Sequence, residues 1–372
     1  MSQLRIINLM NSLEAVAGSA IGIFVPVYIL NSGFSLRMVF VYWLIYSAGI
    51  PVFFMATAKL CEYRGVRFVF LLRLLFVFLL YGSLYLLGQF KFLIFIAPIF
   101  KAIEVSLMYY PMHFIFIANT ENDEMSKKIS HLFAWPQIIG IIMPLVSTGI
   151  AIMFGMKNIF ILVFVVYFIL IFVYLRFKDH KIQTKFNFNK VLVFFKKYPK
   201  YIVMEVFENI REDMHGAVWP IFFYFTIAGS LGEKIGIASV GTINSVTAFV
   251  VLFFTLLMGK LADKFDKNKI MKFGFILAAL AWINAYFLTN NVYLYLFSIA
   301  FSLISTMIEL PYQALTYQLA KKDEQSDEFI VFREIPLFFA RATVYLACIL
   351  LIANIKITFL LSAIVFAIFA LL

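Results

Sequence analysis

The sequence predicts an all-α membrane protein with twelve transmembrane helices in two pseudo-symmetric six-helix bundles. Three observations carry the prediction: the chain's apolarity, the sidedness of its basic loops, and an internal repeat of about 200 residues. Of 372 residues, 63% are hydrophobic and only 14% charged, with a mean hydropathy of +0.95. Soluble domains use about 45–50% apolar residues. A helix needs about 20 mostly apolar residues to cross about 30 Å of hydrocarbon. The chain has room for about twelve such helices and little for a soluble domain.

Apolar runs bounded by short polar or Gly/Pro punctuation predict spans at 4–30, 35–57, 68–88, 92–118, 131–154 and 158–176. Six more follow at 201–228, 235–258, 270–289, 292–319, 330–353 and 356–372. Most connections are short enough only for turns between antiparallel helices. The first span has a basic start at Arg5 but carries Glu14 and Pro26 and no small-residue cleavage site, so it reads as a retained helix and not a signal peptide. The domains expected are 1–177 for the first bundle, 178–200 for a basic cytoplasmic linker and 201–372 for the second bundle.

A net charge of +11 raises nucleic acid as a partner, but the basic residues follow a membrane rule instead. With the N-terminus cytoplasmic, twenty Lys and Arg fall in inside loops and five, Arg37, Lys91, Lys157, Lys234 and Lys356, in outside ones. That bias places both termini in the cytoplasm, in a multi-pass protein of the cell's inner membrane. The longest connection, Arg176 to Lys200, holds eight basic residues and an amphipathic stretch at 187–197, which suits a surface helix against anionic headgroups. Cys61, in a basic loop, and Cys348, in an apolar run, are not expected to form a disulfide.

The halves share punctuation in the same order. Glu14, Gly22 and Pro26 recur as Glu208, Gly216 and Pro220, each 194 residues later. Lys59-Leu60 recurs 201 residues on as Lys260-Leu261, and Pro111 and Pro136 recur 200 residues on as Pro311 and Pro336. Repeats of six spans create a site between halves that rocking can expose to either side.

Residues 259–269 (Gly259, Lys260, Leu261, Ala262, Asp263, Lys264, Phe265, Asp266, Lys267, Asn268, Lys269) resemble the loop motif of the major facilitator superfamily, Gly-x-Leu-x-Asp-basic-x-Gly-basic-x-basic, with Asp266 in place of the second glycine. A weaker copy runs from Ala58 to Arg67, with Glu62 at the aspartate position and Arg64 and Arg67 as bases. The resemblance implies a transporter in which Gly259, Asp263, Lys264, Lys267, Glu62, Arg64 and Arg67 form a conformational latch, the acids helping to hold the outward-facing state. Physically, an acid at a helix N-terminus meets the positive end of the helix dipole and can pair with bases of the other bundle in one state. The run Met143-Pro144-Leu145-Val146-Ser147-Thr148 is a decayed form of the fifth-helix pattern of the family's antiporters and tilts the direction slightly toward export.

Charge at mid-bilayer costs about 2.5–3.5 kcal/mol on insertion scales, so each buried example needs a partner or a task. Ser302, Ser305, Thr306, Glu309, Gln313 and Thr316 recur at three- and four-residue steps, placing them on one face of the tenth span, as a cavity wall or as helix-helix hydrogen-bonding groups. Glu205, Glu208, Arg211, Glu212, His215 and Trp219 share a face of the seventh, where Arg211 can pair with Glu208 and Asp213 points elsewhere. Lys101 and Glu104, three apart, can satisfy one another. Arg341 lies on the face of Glu334 and Tyr345, and His113 reads as a hydrogen-bonded packing residue or a titrating group. The deep charges Glu14, Glu104, Glu208, Glu212, Asp213 and Glu309 face only Lys101, Arg211 and Arg341, an excess of carboxylates that points to proton coupling.

The expected function is secondary active transport of a small solute by alternating access, coupled to protons or another cation. No ATP-binding loop is present and the four histidines are scattered, so neither ATP hydrolysis nor other enzyme activity is expected, and no cofactor or metal. The alternatives are a transport-fold lipid translocator, sensor or scaffold, or a polytopic membrane enzyme. The partners expected are the solute, the coupling cation and the bilayer, with no nucleic acid and a monomeric state.

Overall fold

The structure, a computed structural model, describes residues 3–118, 125–177, 190–322 and 326–371, with residues 3–7, 117–118, 125–134, 262–263 and 326–327 described by their backbone path alone. Among the described residues the chain is helical throughout, without strands. Ten stretches are long and apolar enough to cross a membrane by length and composition, and the shorter apolar helix Ile357–Leu371 follows them.

The first span is α1 (Gln3–Ile21) and α2 (Val25–Asn31), joined by a 3-10 turn at Gly22–Phe24. The next five are α3 (Leu36–Arg64), α4 (Val66–Tyr85), α5 (Leu93–Ala118), α6 (Met125–Phe154) and α7 (Lys157–Leu175). A short helix α8 (Val191–Lys197) precedes the seventh span, which is α9 (Pro199–Asp213), a π-turn at Met214–Val218 and α10 (Trp219–Leu231). Then come α11 (Glu233–Lys264), α12 (Lys267–Phe287) and α13 (Asn291–Lys322). The eleventh span is α14 (Ser326–Phe332) with α15 (Glu334–Leu350), and the twelfth is α16 (Ile357–Leu371).

Proline explains the breaks. Its ring clashes with the carbonyl four residues back and it has no N–H to donate. Four residues before Pro26 and Pro220 stand Gly22 and Gly216, and the helices deform there, as a 3-10 turn and a π-turn. Predicted as one piece, the eleventh span divides at Arg333, three residues before Pro336. The second span outruns its predicted end by a full turn and more, to Arg64, so Cys61 belongs to a helix and is buried, not in a loop. Neither Cys61 nor Cys348 forms a disulfide among the described residues. Gly65 ends α3 and starts α4 at φ +84°, a conformation open to glycine without strain, which allows the reversal with a single linking residue.

Helix packing repeats the sequence pairing. In the first half α4 packs on α5 and α7, α3 on α5, and α1 on α6 and α7; in the second half α12 packs on α13 and α16, α11 on α13, and α9 on α15 and α16. The halves meet along two related seams, α6 on α11 and α3 on α15. At the first seam Gly241 lies against the Thr148 hydroxyl and the Pro144 carbonyl, where an added Cβ would find no room. Gly241→Val is expected to force the seam apart at about 1–3 kcal/mol, read as a lower midpoint in thermal or denaturant unfolding of the purified protein.

The predicted linker lies mostly at 178–189, outside the described residues. Its described part carries α8, whose Phe194 packs on Phe329 and Phe332 of α14 while Leu192 and Val193 are exposed.

Candidate functional site

The charges inside the spans sort around arginines, three of them meeting two carboxylates each and Arg211 meeting one. In the first half Arg73 of α4, 2% exposed, meets Glu14 of α1 through both terminal nitrogens and Glu104 of α5 through Nε at 2.8 Å. Tyr174 Oη accepts from Arg73 at 2.8 Å, and Tyr167 Oη donates to Glu14 at 3.0 Å. Lys101 stands 3.8 Å from Glu104, so the partner expected from the three-residue spacing is the secondary one. Arg73 is the residue the sequence reading missed. Its signal is a lone charge inside the otherwise uncharged Val69–Tyr85 run, overlooked because Arg64 and Arg67 make it resemble the tail of a basic loop.

In the second half Arg211 holds Glu208 by two hydrogen bonds of 2.6 Å, the pair predicted from the sequence. Arg341 of α15 reaches Glu212 at 3.2 Å and Asp213 at 3.5 Å, and Tyr345 Oη donates to Asp213 at 2.9 Å. Arg333, at the α14–α15 break, lies 3.8 Å from Glu205 and 3.5 Å from Glu334. The seventh-span acids that share a face by helical periodicity thus diverge to three different arginines. Arg333 too escaped the sequence reading, because it falls at a predicted span boundary. Glu309 differs from all of these: among the described residues it has no hydrogen bond or ion pair.

Three cavities surround these groups. The central one, about 280 Å³, is walled from the first half by Asn11, Tyr46, Tyr109 and His113 and from the second by Glu212, Glu309, Gln313, Glu334, Arg333 and Arg341. A first-half cavity of about 310 Å³ carries Glu14, Arg73, Lys101 and Glu104 and shares Asn11, Val105 and Tyr109 with the central one. The third, about 270 Å³, is lined by Ser302, Ser305, Thr306 and Glu309 together with Ser19, His215 and Thr247. The tenth-span stripe therefore faces open space on both sides of Glu309, while Thr316 is buried away from it. Asp213 and Glu208 line none of the three.

The halves are also tied by polar contacts at both ends. Toward the termini His113 Nδ1 lies 2.6 Å from Tyr317 Oη and Gln137 donates to Thr255 at 2.9 Å; toward the far end Asn31 donates to Glu233 at 2.6 Å. Of the latch residues, Glu62 pairs with Lys59 at 3.3 Å on its own helix, Arg64 lies over the Phe68 ring at 5.8 Å, Lys264 is exposed and Lys267 half-buried. Gly259 is buried in α11, Arg67 lies in the first turn of α4, and the Asp263 side chain lies outside the described residues. Asp266, which replaces the motif glycine, caps α12 by accepting from the Asn268 N–H at 2.9 Å.

Comparison with known proteins agrees with this architecture. Residues 214–372 match the family model described as Major Facilitator Superfamily. The whole chain resembles the crystal structure of a bacterial homologue of the iron transporter ferroportin in its outward-facing state, with a TM-score of 0.68 at 14% identity, covering 100% of this chain and 99% of that one. It also resembles the human organic anion transporter MFSD10 (TETRAN), with a TM-score of 0.71 at 12% identity over 99% and 97% of the two chains. No curated protein matches it in sequence. The chain is therefore a multi-pass α-helical membrane protein with the major facilitator fold. Its second half carries the superfamily's sequence signature as well.

Removing Arg73 leaves two buried carboxylates without their main partner. Arg73→Met is expected to cost about 3–5 kcal/mol. Adding Glu14→Gln and Glu104→Gln is expected to recover much of that loss, with thermal melting of the four combinations as the measurement.

Proposed function

We propose that this protein is a secondary active transporter that moves a small solute through the central cavity by alternating access. The single observation that supports this best is the cavity's position: both halves wall it, so a rocking of one half against the other changes its access without dismantling either. The short polar ties at each end are weak enough to exchange between states, since each is a single hydrogen bond worth about 0.5–1.5 kcal/mol.

Protons are the coupling ion we propose, with Glu14, Glu208 and Glu309 as candidate carriers. In the second half the buried acids Glu205, Glu208, Asp213 and Glu334, with the half-buried Glu309 and the cavity-lining Glu212, face three arginines, so protons are the cheapest way to balance them. Export is favoured over uptake by the small-residue run at 143–148. The bias of the basic loops supports an inner-membrane location with both termini cytoplasmic, and the reading takes the protein as a monomer. The same basic linker supports contact of α8 with anionic headgroups.

The test starts from a thermal-shift screen of metabolites and drugs, which finds a ligand selective for the folded state. Its flux into proteoliposomes is expected to follow an imposed pH gradient and to fall several-fold with a protonophore. Flux indifferent to the protonophore would remove proton coupling, and binding without counterflow would remove the carrier reading in favour of a sensor or scaffold. Reporter tags at both termini are expected to be reached only from the cytoplasmic side in intact cells, and labelling of either from outside would invert the topology.

A further inference from the structure

The third cavity has an unusual polar wall. Ser302, Thr306 and Thr247 each donate their hydroxyl proton to a backbone carbonyl of their own helix, at 2.8, 2.9 and 2.8 Å. The Asn244 amide likewise donates to the Val240 carbonyl at 2.8 Å. Toward the cavity the three hydroxyls therefore present oxygen lone pairs, with the His215 Nε2 lying 3.2 Å from Ser302 Oγ and the Asn244 amide keeping one N–H and its carbonyl oxygen. Glu309 adds a carboxylate with no ion-pair partner, and no Lys or Arg lines the space. The nearest arginine by charge, Arg211, is engaged by both oxygens of Glu208.

One further group is unsatisfied. The Ser305 hydroxyl, 3% exposed, has no hydrogen-bond partner, although Ser298, Ser302 and Thr306 of the same helix each bond back along it. A buried polar atom left open beside a cavity is the mark of a place that a ligand fills. The cavity continues into a smaller apolar one of about 130 Å³ with which it shares Ile23, His215, Asn244, Thr247 and Ser302, and whose own walls include Trp219, Phe223 and Ile243.

The geometry points to an amine subsite: the ammonium group of a small amphiphilic organic amine sits against Glu309, Ser305 and Thr306, with its hydrocarbon part directed toward Trp219 and Phe223. An ammonium supplies N–H donors to the acceptor oxygens of this wall, and its charge offsets Glu309. The space is far larger than a bare alkali ion requires, and its apolar end suits a hydrocarbon and not a hydration shell. The site is in one half only: at the 200-residue offset of Pro111 and Pro311, Glu309 corresponds to Tyr109, and α12, the repeat partner of α4, carries no charged residue beyond Lys272 that could pair with Glu309 as Arg73 pairs with Glu14 and Glu104. This inference rests on the transporter reading for its purpose but not for its test.

The test is binding, measured by calorimetry on the purified full chain in detergent. Phenethylammonium is expected to bind, about tenfold or more tighter than methylammonium because of its buried ring. It is also expected to bind well above both phenethyl alcohol, its uncharged analogue, and 3-phenylpropionate. Glu309→Gln is expected to weaken phenethylammonium about ten- to a hundredfold while leaving the alcohol unchanged, and Ser305→Ala to weaken it several-fold. In the wild-type protein, carbodiimide labelling of Glu309, read by peptide mass spectrometry, is expected to be blocked by phenethylammonium and not by the alcohol, which keeps the test sound if the variants fail to fold. The inference is overturned if the anion binds as well as the amine, if Glu309→Gln leaves amine affinity intact, if Na⁺ and not the amine protects Glu309, or if phenethylammonium does not bind. Amine binding without flux would support the subsite and sink the transporter reading instead.

Discussion

Hydrocarbon does not tolerate an unpaired charge, and this protein's interior is organised around the ways it meets that constraint. Arg73 and Arg333 each lie between two carboxylates of different helices, and Arg341 of α15 takes two consecutive acids at the end of α9. A planar guanidinium with five N–H donors can serve two carboxylates at once, which a lysine ammonium on a flexible stem does less well. Each cluster thus pins spans that would otherwise be held together only by van der Waals packing, since lipid tails are as apolar as the side chains they would displace. In the first half one such cluster joins α1, α4 and α5, with tyrosines of α7 completing it.

The two halves share this device unequally. The first half balances Glu14 and Glu104 against Arg73 and Lys101, so its charge network is closed. The second half sets six acids against Arg211, Arg333 and Arg341, and its surplus converges on the cavities. Pseudo-symmetry in backbone and packing therefore coexists with asymmetry in electrostatics. That combination lets one half act as a scaffold while the other presents a charged face across the seam. The helix deformations lie beside the same surfaces: the π-turn at Met214–Val218 starts immediately after Asp213 and places His215 at the wall of the third cavity. Such turns inside α-helices recur at functional sites because they re-aim side chains without ending the helix.

Much of this was legible along the chain. Span number and order follow from hydropathy, and the paired Gly/Pro positions announce both the repeat and the places where the first and seventh spans deform. The Arg211–Glu208 pair follows from spacing alone, because residues three apart on a helix are neighbours whatever surrounds them. The stripe Ser302 to Gln313 is likewise a property of helical periodicity. Local geometry was sufficient in each case.

Partners on other helices were not legible. Lys101 and Glu104 are spaced as a pair, yet Arg73 on a neighbouring span takes Glu104, because a buried guanidinium gains more from two carboxylates than an exposed-tending lysine gains from one. Periodicity placed three acids on one face of the seventh span, but which arginine each meets depends on how α9 crosses α15 and where α14 breaks. Sequence by itself therefore determined the membrane class, the spans, the repeat and the supply of buried charge, since these depend on composition and on residues within a few positions of each other. Only the tertiary structure decided which charges neutralise one another and that Glu309 is left over beside open space. Those outcomes depend on helices packed across long stretches of chain, 160 residues between Glu14 and Tyr174 and 204 between His113 and Tyr317, and no local pattern encodes them.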